Sequence, residues 1–70
     1  MRAKAAYRVI AARDHVEVVD IADGEVVLFW DLLPRDTRRF ARSLREDLHA
    51  LEAEDFLARW TAVEGAEDLR

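Results

Sequence analysis

The sequence predicts an α+β fold: a three-stranded antiparallel β-meander followed by one long or broken C-terminal α-helix. Three observations predict it. β-branched residues concentrate between Val16 and Val27, Asp23-Gly24 divides them, and from Phe40 onward apolar residues recur every three or four positions. The chain has 70 residues, 51% of them hydrophobic, and no cysteine. It is read as one small domain over residues 1–64 with a flexible tail over 65–70. At this size folding buries only about 60% of the unfolded surface. Without cysteine, neither a disulfide nor a thiolate metal site can reinforce the core.

The first strand is expected within Ala5–Ala12, where Tyr7 and Val9 alternate with Arg8. The polar run Arg13-Asp14-His15 interrupts it. The second and third strands are expected over Val16–Ala22 and Glu25–Asp31. A two-residue type I′ turn at Asp23-Gly24 needs positive φ at both positions and sets the register. It places Ile21 opposite Val26, Val19 opposite Leu28, Val18 opposite Phe29 and Glu17 opposite Trp30. One face then carries Val19, Ile21, Val26, Leu28 and Trp30; the other carries Val16, Val18, Val27 and Phe29. A two-layer domain needs only one apolar sheet face. The second half-apolar face therefore calls for a cover.

The helical half starts at Pro34, whose missing N–H costs nothing at a first helical position, with Asp36 in the first turn. Phe40, Leu44, Leu48 and Leu51 form one apolar stripe. Phe56, Leu57, Trp60 and Val63 form a second, on roughly the opposite side of the same wheel. Either the helix breaks near Ala53-Glu54-Asp55, with Asp55 as a new N-cap, or it stays continuous and its second stripe meets another subunit. An unbroken helix over this stretch is about 45 Å long, too long for a three-stranded sheet. Gly65 suits a residue just past the helix end.

Charge and composition exclude several classes. The net charge is −4, against a general nucleic-acid or membrane coat. The longest large-apolar run, Val26–Trp30, is far too short for a bilayer. Met1-Arg2-Ala3-Lys4 is basic, but no signal-peptide core follows it, so a soluble cytoplasmic protein is expected. Arginine outnumbers lysine ten to one and there is no Asn or Gln. Arginine richness therefore carries little functional weight by itself.

Catalysis and cofactors are not expected. Ser43 and Tyr7 are the only serine and tyrosine, and Ser43 has no base at any recognised spacing. The two glycines are too far apart for a phosphate loop. Glu46 and His49 have the Glu-x-x-His spacing of di-iron bundles, but the chain has too few helices to complete such a site. His15 falls in a turn with no partner visible in sequence.

Two surfaces remain as candidates. Arg35, Arg38, Arg39, Arg42 and Arg45 occupy one side of the helix, opposite Phe40 and Leu44. They suit phosphates or an acidic partner, although Glu46 can pair with Arg42 and a merely solvated face is the simplest explanation. Val18, Val27, Phe29, Phe56, Leu57, Trp60 and Val63 are candidates for a partner or dimer interface, Trp60 being the strongest aromatic anchor.

The order of sheet then helix, with Trp30 early and Trp60 late, resembles the MbtH-like proteins, which bind adenylation domains of peptide synthetases. That family's Trp-Pro and Gly-Trp pairs are absent: Asp31 follows Trp30, and neither Gly24 nor Gly65 precedes a tryptophan. Val27–Arg45 also resembles small actinobacterial developmental regulators in its apolar spacing. Neither resemblance carries a residue role over. A ribbon-helix-helix reading fails because the ribbon Val26–Trp30 offers no polar groups to base edges. The expected function is a small non-catalytic interaction or regulatory protein, acting as a homodimer or as an accessory subunit of a larger protein. The alternative is a nucleic-acid-associated regulator using the arginine face.

Overall fold

The computed structural model describes residues 1–67. The element order is α1 (Ala3–Ala6), β1 (Tyr7–Ala11), β2 (His15–Asp20), β3 (Val26–Asp31), α2 (Pro34–Ala50) and α3 (Ala53–Glu67). The sheet is an antiparallel meander in the order β1-β2-β3. Both longer helices lie against one side of it. The expected class is therefore present, with two C-terminal helices rather than one. Positions 68–70 of the expected tail lie outside the described residues, whereas the backbone of 65–67 continues α3. Gly65 is thus within a helix, not beyond its end.

The expected first strand loses its start to α1. Ala3–Ala6 is alanine-rich and lysine-bearing, a composition with high helix propensity. Its single turn is closed by the Tyr7 N–H donating to the Ala3 carbonyl, and Ala3 is fully buried. Val9 then pairs with Val18, and Ala11 with Val16.

The hairpin differs from a two-residue turn. Gly24 has φ +76°, but no non-glycine residue among those described has positive φ, so Asp23 cannot complete a type I′ turn. Instead five residues, 21–25, separate the strands. The Gly24 N–H donates to the Asp20 carbonyl at 2.8 Å, and the Asp20 N–H donates to the Glu25 carbonyl at 2.8 Å. The carboxylates of Asp20 and Asp23 accept from the N–H groups of Ala22 and Glu25. Short acidic side chains thus hold a longer loop together locally.

The register shifts accordingly. Val18 faces Leu28, Glu17 faces Phe29 and Val16 faces Trp30, with an irregularity between Val18 and Val19. A one-residue slip exchanges sheet faces. Val18 therefore shares the covered face with Val9, Val16, Leu28 and Trp30, and not the outer face with Val27 and Phe29. Ile21 is 53% exposed in the loop.

The helical mismatch is resolved by a break at Leu51-Glu52, slightly before the expected position. Leu51 is extended at φ −111°, ψ 159°. Asp55 lies in the first turn of α3 rather than capping it. From α2, Thr37, Ala41, Leu44 and Leu48 are buried; from α3, Phe56 and Trp60 are buried. The break turns the second stripe back onto the same sheet face. The longest dimension is 31 Å, well short of an unbroken helix. Pro34 opens α2 as expected, and the Thr37 hydroxyl donates to its carbonyl at 3.0 Å.

Two substitutions test this account by urea unfolding. Phe56→Ala removes a fully buried ring and is expected to cost about 3–5 kcal/mol. Nothing lies within 4 Å of a Cβ placed on Gly24, so its cost is purely conformational. Gly24→Ala is expected to cost roughly 1 kcal/mol, and Gly24→Asn less, because asparagine tolerates positive φ.

Candidate interaction surfaces

Three surfaces are built by this packing. The first is the outer sheet face. By strand alternation it collects Arg8 and Ile10 from β1, His15, Glu17 and the buried Val19 from β2, and Val27, Phe29 and Asp31 from β3. Ile10 is 38% exposed, Val27 36% and Phe29 41%. No described helix covers this face. His15, without a visible partner in the sequence, stacks on Phe29 with ring centroids 5.1 Å apart. Its Nδ1 lies 3.2 Å from Asp14 Oδ1. Beside this face, the Phe29 N–H points away from β2 and donates to Glu64 of α3 at 2.9 Å. That carboxylate blunts the outer edge of β3, which otherwise presents a donor to any passing strand.

The expected interface residues divide. Val27 and Phe29 are exposed on the outer face, and Val63 is 37% exposed on α3. Val18 and Phe56 are fully buried, Trp60 is 7% exposed and Leu57 is half-buried against the core. Trp60 packs inside its own chain: its ring sits 5.9 Å from Trp30 and 5.6 Å from Phe40, both edge-to-face. Its Nε1 donates to Asp47 Oδ2 at 3.0 Å, and Arg59 pairs with the same oxygen at 3.4 Å. The sequence places Asp47 one turn before Leu51, but its link to Trp60 depends on the fold-back and has no local signal.

The second surface is the arginine side of α2. Arg35, Arg38, Arg39, Arg42 and Arg45 are all exposed. Arg39 pairs with Asp36 at 3.3 Å while remaining 81% exposed, an arrangement worth little in water. The Arg42–Glu46 pair is absent among the described residues. Arginine preceding glutamate is the weaker order for an i,i+4 pair. At the flank of this ridge is an open hollow of about 370 Å³ lined by Leu32, Asp36, Arg39, Phe40 and Ser43.

The third is the seam between the helices, which the sequence reading missed. Arg2 and Glu52 form an isolated antiparallel bridge. The Ala3 N–H donates to the Leu51 carbonyl, and the Ala53 N–H to the Met1 carbonyl. Arg2 also donates to Glu52 Oε2 at 3.1 Å and to the His49 carbonyl at 2.6 Å, satisfying a carbonyl at the end of α2. A second hollow of about 320 Å³ lies here, lined by Met1, Glu52, Ala53, Glu54 and Asp55. Of its carboxylates, Glu52 is already engaged by Arg2 and the terminal ammonium. Hydrogen bonds from those two groups hold the Glu52 carboxyl below its ordinary value.

No group of three potential metal ligands occurs among the described residues, and no described helix is long and apolar enough to cross a membrane. Comparison with family models, curated proteins and solved structures returns no match.

The seam has a pH signature. A lowered folded-state pKa makes the unfolded chain bind the proton more readily, so the contribution of Glu52 is present above the unfolded pKa and lost as pH falls through the folded one. Glu52→Gln is expected to lower the urea midpoint at neutral pH. The gap from the parent should close on the acid side of the carboxylate range. An equal gap at both pH values contradicts this role.

Proposed function

We propose that the chain is a non-catalytic interaction module that pairs with a second copy of itself through the outer sheet face. One observation carries the reading. Leu44 and Leu48 of the first stripe and Phe56 and Trp60 of the second are spent on the inner face, while Ile10, Val27 and Phe29 remain between 36% and 41% exposed on the other side. Exposed apolar side chains gathered on one sheet face, here Ile10 on one side of Glu17 and Phe29 on the other, form a candidate docking face.

A second copy suits this face on charge as well. Arg8 lies on β1, with Glu17 on β2 and Asp31 on β3. A two-fold related mate can therefore meet a cation with an acid, as a self-complementary patch requires. Glu17, half-buried at the centre of the face, makes tight association costly. The small apolar area and that carboxylate set the expected affinity in the micromolar range, about −8 kcal/mol.

Sedimentation velocity over a concentration series tests the proposal. The parent chain should move from monomer to dimer as concentration rises through tens of micromolar, a range roughly matching that affinity. Phe29→Glu and Val27→Glu should remain monomeric throughout while melting as cooperatively as the parent. A parent chain that stays monomeric at several hundred micromolar, about tenfold above that range, overturns the reading.

A further inference from the structure

We infer that the arginine ridge of α2 and the hollow beside it form a docking site for an acidic peptide segment carrying an apolar anchor. The site lies on the solvent side of the helical layer, away from the outer sheet face, so it stands independently of self-association.

Two separate features converge there. The hollow has apolar walls from Leu32 and Phe40 and a polar rim from Arg39, Asp36 and Ser43. Its volume of about 370 Å³ is enough for one large side chain. Phe40 is held by edge-to-face contact with Trp30 at 4.9 Å and Trp60 at 5.6 Å, so that wall is rigid. Alongside, Arg35 and Arg42 flank Arg39 at i−4 and i+3, which puts all three on one side of the helix. Arg35 and Arg42 have no ion pair among the described residues, and the Arg39–Asp36 pair is open to water. Three exposed guanidinium groups beside an unfilled apolar hollow ask for carboxylates and a side chain together.

The same features disfavour a nucleic acid. Arg35 to Arg42 spans only about 10 Å along the helix axis, enough for few phosphates. Arg38 and Arg45 lie around the helix towards its other flank, and Glu46 interrupts the positive surface. The net charge of −4 opposes the approach of a long polyanion. A short acidic segment with one leucine or aromatic anchor meets the local charge without engaging the rest of the surface.

Selection of a displayed random-peptide library against the whole chain reads out this chemistry directly. Enriched peptides should carry net negative charge and a recurrent Leu, Phe or Trp. The best synthetic peptide should bind at least about tenfold more weakly to the double variant Arg35→Glu, Arg42→Glu. Ser43→Trp, which fills the hollow from an exposed position, should weaken it similarly. Thermal melting should show both variants folded. The inference is overturned by failure to enrich, by enriched peptides without net negative charge, or by affinity indifferent to both variants. It is also overturned if a duplex DNA of mixed sequence binds the parent more tightly than the best peptide at physiological salt.

Discussion

The fold depends on the contact between Trp30 and two aromatic rings from different helices. Trp30 projects from β3 with 1% exposure. Phe40 of α2 and Trp60 of α3 each meet it edge-to-face, and they meet each other in the same way. Such pairs add roughly 0.5–1.5 kcal/mol each beyond the area they bury. Trp60 can reach this position only if the chain reverses between Phe40 and Phe56. The break at Leu51-Glu52, the seam with Arg2 and the Trp60–Asp47 hydrogen bond follow from that requirement. The cluster also leaves the Trp30 Nε1 buried without a hydrogen-bond partner. An unsatisfied donor costs roughly 1–3 kcal/mol, which the burial of so large a ring offsets.

Chain length then decides what stays open. A short chain has two helical stripes available, and Trp30 draws both to the inner sheet face. Nothing among the described residues remains for the outer face. Glu64 reaches the rim only, where it occupies the Phe29 N–H. The edge of β3 is thereby protected from strand addition while the apolar face beside it is left free. The proposed self-association therefore uses face packing rather than pairing at the β3 edge.

Much of the fold was legible in the sequence because its signals are local. Proline at the start of α2, the stripe through Leu44 and Leu48, and the β-branched runs each act over a few residues. The hairpin register was misread because Asp23-Gly24 resembles a type I′ turn. The carboxylates of Asp20 and Asp23 instead stabilise a five-residue loop, and the one-residue difference moves Val18 from the outer face to the core. The second stripe at Phe56 and Trp60 was visible, but its destination was not. Whether an apolar stripe meets its own sheet or another subunit depends on the break, and the break depends on tertiary partners. The bonds from Arg2 and from Glu64 join residues 50 and 35 positions apart, beyond any local pattern. Among the candidate residues, Val27, Phe29 and the five arginines are exposed. The Leu32–Phe40 hollow arises from packing alone.

Trp60 is spent inside its own chain, and the outer sheet face is the surface proposed to meet a partner copy. Isotope-filtered NOE spectroscopy on a mixture of labelled and unlabelled chains tests both halves at once. The Trp30–Trp60 ring contacts should appear within one chain, and the contacts between chains should come from Ile10, Val27 and Phe29. Contacts between chains that instead arise from Trp60 and Phe56 contradict the account, because they place the second helical stripe on another subunit.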